Sequence, residues 1–341
     1  MKKIFTMMLA AAAMASCSTS EVEFDNPKEI GFTTVANNIS RAVVDGTVYP
    51  ISLGMYVYAW TTDNAAVDAN YIINGKFKNK EGNVWGGETP YYWPNVKTLH
   101  FAGYSASGNV SSATVAYNCK TDVLSITGYA PGTSTDAGAN DLMYFPSTKA
   151  TNPAGYDKET TSVPVNMYHT CSWITFKVKG DAVTGADGST YQVTGLQITG
   201  IDQTANVTCG ALDNNDVPSI TWSENTTQTE TYTVTLSSSL GKLTKTATNV
   251  EAGNNVEAGN NIVLIPQTPG KLTLTYTYKS PAGQTIEETK NDIALKLDDA
   301  NSNWAPGKHY TYTITIKANE ILIAPSAEDW ADQTDKDITV E

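Results

Sequence analysis

Apolar and polar residues alternate along most of this chain with a period of two. Met55, Val57 and Ala59 interleave with Tyr56, Tyr58 and Trp60, and Leu99, Phe101 and Gly103 with His100, Ala102 and Tyr104. Leu272 to Tyr278 alternates with threonines, and so does Tyr310 to Ile316. That period sends successive side chains to opposite faces of a pleated strand. Shorter runs at Ala113–Tyr117, Val123–Thr127, Leu142–Phe145 and Val163–Tyr168 complete a first half of the chain. Trp173–Val178, Tyr191–Ile201, Ser219–Trp222, Tyr232–Leu236 and Ile262–Ile265 populate a second. No stretch keeps a period of 3.6. About seven short strands per half, divided by turn residues, predict an all-β chain of two sandwiches with the boundary near Thr170.

Turn signals fall where the alternation breaks. Asn74-Gly75, Glu81-Gly82-Asn83 and Gly86-Gly87 read as turns, and Ala130 to Asn140 as an exposed loop. Asp213-Asn214-Asn215-Asp216 lacks the glycine and distal glutamate of a calcium loop, so it reads as a surface turn. Val250-Glu-Ala-Gly-Asn-Asn repeats at once from Val256, a duplicated loop too short to signal a repeat fold.

The two ends break the pattern. Lys2 and Lys3, the apolar run Ile4 to Ala13, and Ala15-Ser16 before Cys17 have the order of an export signal ending at a cysteine that is acylated after cleavage. One acyl chain tethers a protein to a membrane surface rather than through it. At the other end, Ile321-Leu322-Ile323 and Ile338-Thr339-Val340 flank an acidic spacer that carries Trp330. That tail either folds back on its own domain or offers two short strands to a neighbour.

Composition narrows the function classes. The 341 residues carry 40% apolar and 17% charged residues and a net charge of -13. An acidic chain of this kind lacks the basic footprint of a nucleic-acid binder. With Cys17 assigned to lipid, Cys119, Cys171 and Cys209 remain, in no metal-ligand spacing. Buried thiols are the expectation, with a Cys171–Cys209 bridge left open. His100, His169 and His309 sit in or beside strands, away from any nucleophile motif. No catalytic residue, metal site or cofactor is expected, and an exported hydrolase finds no paired carboxylates.

Arg41 is the only arginine in the chain and follows Ile30 to Val35, which reads as a first strand. On this segment alone Arg41 reads as an ordinary loop cation. The alternative is a cut after it that would detach a first strand and leave a groove for a strand from another molecule to fill by β-augmentation.

Several motifs in order resemble the fimbrillin family, the lipoprotein-derived subunits of type V pili in Bacteroidales. They are Cys17, Phe32…Ser40-Arg41-Ala42, Tyr91-Tyr92-Trp93-Pro94 with Leu99 to Tyr104, and Asp141-Leu142-Met143-Tyr144. Val163…His169…Ser172 to Val178, Ile265-Pro266-Gln267, Trp304 to Ile314, and Trp330 continue the series. The resemblance implies two tandem transthyretin-like β-sandwich domains with a C-terminal strand extension. It divides the chain into a signal peptide (1–16), a tether and removable first strand (17–41), sandwiches at 42–170 and 171–320, and a donor tail (321–341). It further implies a precursor anchored in the outer membrane by palmitate-type acylation of Cys17, proteolysis between Arg41 and Ala42, and an extracellular polymer. In that polymer Ile321, Ile323, Trp330, Ile338 and Val340 of one subunit fill the groove of the next. Its partners are other pilin subunits and a surface glycan or protein receptor. A stalk subunit is favoured over a tip or anchor. The competing class is a monomeric surface lipoprotein that binds glycans on exposed aromatics.

Overall fold

A computed structural model describes residues 29–36, 49, 53–61, 71–93, 98–106, 108–131, 141–151, 162–180, 189–223, 229–234, 236, 243, 248–249, 262–297, 302–317 and 321–329. These residues form twenty strands and one short 3-10 turn (Gly108–Ser112). The first nine strands are β1 (Gly31–Ala36), β2 (Met55–Trp60), β3 (Ile73–Glu81), β4 (Val84–Gly87), β5 (Thr98–Ser105), β6 (Thr114–Asn118), β7 (Val123–Tyr129), β8 (Met143–Thr151) and β9 (Val163–His169). Next come β10 (Ser172–Gly180), β11 (Thr190–Ile201), β12 (Ala205–Leu212), β13 (Pro218–Trp222), β14 (Glu230–Thr233) and β15 (Thr248–Asn249). The last five are β16 (Ile262–Leu264), β17 (Lys271–Lys279), β18 (Thr285–Ala294), β19 (Lys308–Ile316) and β20 (Ile321–Asp329). The chain is all-β, as the alternation predicts.

Seven strands close into a barrel in the order β1-β4-β3-β2-β5-β8-β9. Closure depends on β1, which runs antiparallel to β4 and parallel to β9. The range expected for a first sandwich, 42–170, and the hydrogen-bonded sheets have different limits. The barrel draws on β1, which precedes that range, and the sheet beside it has the order β13-β12-β7-β6. Two of those four strands come from beyond the expected boundary, since β12 pairs with β7. Their alternate residues Ala205, Val207 and Cys209 face the same hydrophobic cluster as the barrel residues. Burial rather than sequence proximity sets the partner. The cut at 170 and 171 therefore crosses one sheet.

Thr170 sits at that crossing as a bolted junction. Its amide and hydroxyl both donate to the Leu142 carbonyl, at 2.9 and 2.8 Å. Its own carbonyl accepts from the Trp222 indole of β13 at 2.6 Å.

Beyond the junction, the sheets β15-β10-β19-β20 (with β16 also on β10) and β14-β11-β17-β18 face each other across a second cluster. Ile174, Phe176 and Val178 of β10 and Tyr310, Tyr312, Ile314 and Ile316 of β19 meet Leu196, Ile198, Leu272 and Leu274 there. Trp173, one residue before Ile174, faces the first cluster instead. Strand periodicity thus lets β10 join both cores. Cys119, Cys171 and Cys209 are free and buried, so the open question of a Cys171–Cys209 bridge resolves to two thiols. Burial pushes both of those thiols up, and each also feels an acidic neighbour, Asp141 for Cys171 and Cys171 for Cys209.

Candidate functional site: the slot of the first strand

β1 occupies a slot built by its neighbours. Ile30, Phe32 and Thr34 alternate inward and are fully buried. Phe32 stands in a nest of three rings: edge-on to Phe77 of β3 and Phe101 of β5 with centroids at 5.1 and 5.2 Å, and tilted toward Phe145 of β8 at 6.2 Å. Between the inward residues, Gly31 lies opposite Gly86. A Cβ there would come within 3.3 Å of the Trp85 carbonyl and the Ser162 hydroxyl, so the close approach of β4 favours glycine.

The slot has two defined ends. At its start the Ile30 amide donates to the Tyr91 carbonyl at 2.7 Å, and Glu29 bridges Tyr92. At its far end the ladder is lopsided. Pairing with β4 stops at Thr33 opposite Val84, whereas pairing with β9 continues to Ala36 opposite Met167. Pro164 of β9 lies opposite Thr33. Residues 163–167 of β9 pair only with β1, because β8 engages β9 just at Tyr168 and His169. Without β1 this run of β9 is a sheet edge, and edges tolerate proline. One unpartnered donor lies in the wall, the buried Trp85 Nε1, with Tyr49 edge-on to the ring at 5.1 Å.

The second feature is the outer strand of the other sheet. β20 pairs antiparallel with β19 from Ile321 opposite Ile316 to Asp329 opposite Lys308. Pro325 lies within it, again on an edge. Ile321 and Ile323 of the expected donor tail therefore already hold a backbone ladder on their own chain. Cys17, Arg41, Ala42, Trp330, Ile338 and Val340 lie outside the described residues, as does the duplicated loop at 250–261.

The chain shows no geometry for catalysis among the described residues. No cluster of three His, Cys, Asp or Glu side chains gathers as a metal site. His169 Nδ1 and Asp141 Oδ2 meet at 2.5 Å, but both side chains are buried in the core. Cys171, two residues on, is a fully buried thiol held in its protonated form by burial. Asp213 caps its own turn by accepting from the amides of Asn215 and Val217, and those bonds lower its pKa. The four-residue segment is a turn.

The fimbrillin-like family model matches residues 44–330. The chain belongs to the fimbrillin-like family. That membership makes it a structural rather than an enzymatic protein. Among solved structures, a fimbrial protein from Bacteroides vulgatus ATCC 8482 is similar at 17% identity and a TM-score of 0.54, over 89% of this chain and 99% of that one. A candidate cell-adhesion protein from Bacteroides ovatus ATCC 8483 is similar at 14% identity and a TM-score of 0.51, over 90% and 99%. Both likenesses are likenesses of fold. No curated protein matches the chain.

Sequence reasoning singled out Ile30 to Val35, with Thr34 among them, and Tyr91, but passed over Asn83 as part of the slot. Asn83 read only as a turn residue. The signal available was the Asn next to the tight Gly82 turn, directly before β4.

Proposed function

We propose that this chain is a fimbrial stalk subunit that assembles at the cell surface by exchanging its first strand for a strand of a second copy. The observation that carries this reading is the position of β1, which closes a barrel that is otherwise open between β4 and β9. Proteolysis between Arg41 and Ala42 leaves β1 attached by pairing alone. Its loss uncovers the pockets of Ile30 and Phe32, about 1.5–3 kcal/mol of apolar burial each, and an incoming strand recovers it. The barrel with its side sheet, and the sandwich that follows, are read as the two transthyretin-like units. The precursor is read as lipid-anchored at Cys17 in the outer membrane and the mature form as part of an extracellular fimbria that supports adhesion.

The tail from Ile321 to Val340 supplies the donor. Because β20 already pairs with β19 along its length, the role falls first to Trp330, Ile338 and Val340. Ile321 and Ile323 join only where β20 leaves that ladder. The monomeric glycan-binding reading has less support, because Tyr92 is the one exposed aromatic among the described residues. Carbohydrate stacking needs a platform of several.

Deletion of residues 330–341 separates these readings. The truncated chain is expected to remain a folded monomer that forms no ladder on unboiled denaturing gels, whereas the intact, cleaved chain does. Continued polymer formation, or unfolding of the truncated chain, overturns the donor assignment.

A further inference from the structure

We infer that Asn83 is a latch that fixes the register of the strand in the first-strand slot, by recognising a hydroxyl side chain two residues after the bulky residue in the aromatic nest. Asn83 sits at the β3–β4 turn, one position beyond the last rung between β1 and β4. There its side chain takes the place of backbone. The amide Nδ2 donates to the Thr34 carbonyl at 2.8 Å, and Oδ1 accepts from the Thr34 hydroxyl at 2.9 Å. The first contact reads strand position and the second reads side-chain chemistry.

The latch is itself held in place. Asn79 Nδ2 donates to the carbonyl of Gly82 at 2.7 Å, and Gly82 has a φ of +53°. That left-handed conformation suits glycine and sets the turn that aims Asn83 at β1. Thr34 is fully buried, so a residue without a hydroxyl there would leave the Asn83 oxygen facing a group that cannot donate. A slip of one residue would exchange the inward set Ile30, Phe32 and Thr34 for Gly31, Thr33 and Val35. The nest and the latch therefore check one strand at two points with a spacing of two residues.

This selectivity deepens the strand-exchange reading, on which its consequence for assembly rests. In the tail, the residues two positions before Ser326, Thr334 and Thr339 are Ala324, Asp332 and Asp337. None is bulky and apolar. A tail from a second copy thus meets the nest or the latch but not both, and the latch favours the resident strand over its replacement.

Hydrogen–deuterium exchange of the uncut full chain, read on peptides covering 29–36, tests the latch without any polymer. Thr34→Val keeps the shape and removes the hydroxyl, and Asn83→Ala removes both contacts. Each is expected to raise β1 exchange about tenfold, with the double variant no faster than Asn83→Ala and Thr34→Ser close to wild type. Unchanged exchange in Thr34→Val, effects that multiply in the double variant, or Thr34→Ser behaving as valine would overturn the latch. A chain that latches in this way yet never polymerises after cleavage at Arg41 counts against strand exchange alone.

Discussion

Phe32 stands edge-on to Phe101 across the inside of the barrel, with ring centroids 5.2 Å apart and planes at 83°. The first strand is therefore held by its largest side chain as well as by its backbone. Phe77 and Phe145 complete the nest from two other strands, so one residue of β1 touches three walls.

Phe32→Ala is expected to cost about 3–5 kcal/mol, the range for emptying a packed phenylalanine site. Urea unfolding of the uncut chain measures it. A loss under about 1 kcal/mol would show that β1 is not a closing element of the barrel.

Trp222→Phe keeps an aromatic, though smaller, ring in the first cluster and removes the bond to the Thr170 carbonyl. Leaving that buried carbonyl short of a donor is expected to cost about 1–3 kcal/mol. A fragment that stops at residue 170 lacks β12 and β13 altogether, and it is expected to fail to unfold cooperatively. A stable fragment with a sharp unfolding transition would show that the hairpin from beyond residue 170 is dispensable.

The strands that were legible in the sequence are those with one buried face. β17 and β19 alternate visibly because Leu272, Leu274, Tyr312 and Ile314 point inward between threonines. β18 was invisible, since almost every residue from Thr285 to Ala294 is exposed and nothing forces alternation. Its hairpin partner β17 positions it instead. β3 was read as turns at Asn74-Gly75, yet the pair lies inside the strand. A Cβ on Gly75 would collide with the Tyr91 hydroxyl, so glycine marks a packed ring rather than a bend there. Likewise Gly86-Gly87 belongs to β4, while of Glu81-Gly82-Asn83 the last two form the expected turn and Glu81 ends β3. The pairing of β12 with β7 joins segments some eighty residues apart, which local periodicity does not encode.

Thiol accessibility follows from burial. Cys119, Cys171 and Cys209 are expected to react with a thiol reagent only after denaturation, in a chain carrying Cys17→Ser. Intact mass should show no loss of two hydrogens. Rapid labelling of the native chain, or a disulfide-linked peptide joining Cys171 and Cys209, would contradict the free, buried thiols.

Alkaline pH should weaken the fold. Burial first, then the hydrogen bond to Glu288, pushes the Tyr276 phenol from 10.0 up to about 12. Burial also pushes Tyr104, Tyr117, Tyr144 and Tyr312 up. A raised phenol keeps its proton in the folded chain after the unfolded chain has released it. Stability is thus full below pH 10 and falls as pH rises through 10 toward 12. Tyrosinate absorbance should rise in a late, cooperative step that coincides with loss of circular dichroism. A gradual rise centred on pH 10, with the fold intact, would contradict it.

Cleavage at the single arginine tests strand exchange most directly. Wild-type chain and Arg41→Ala are treated with an arginine-specific protease, and the products are compared on unboiled denaturing gels with N-terminal sequencing of each band. Wild type is expected to give a ladder whose subunits begin at Ala42 and lack β1, while Arg41→Ala stays a single uncut band. A ladder from Arg41→Ala, or wild-type polymers that retain residues 31–36, would contradict the exchange of the first strand.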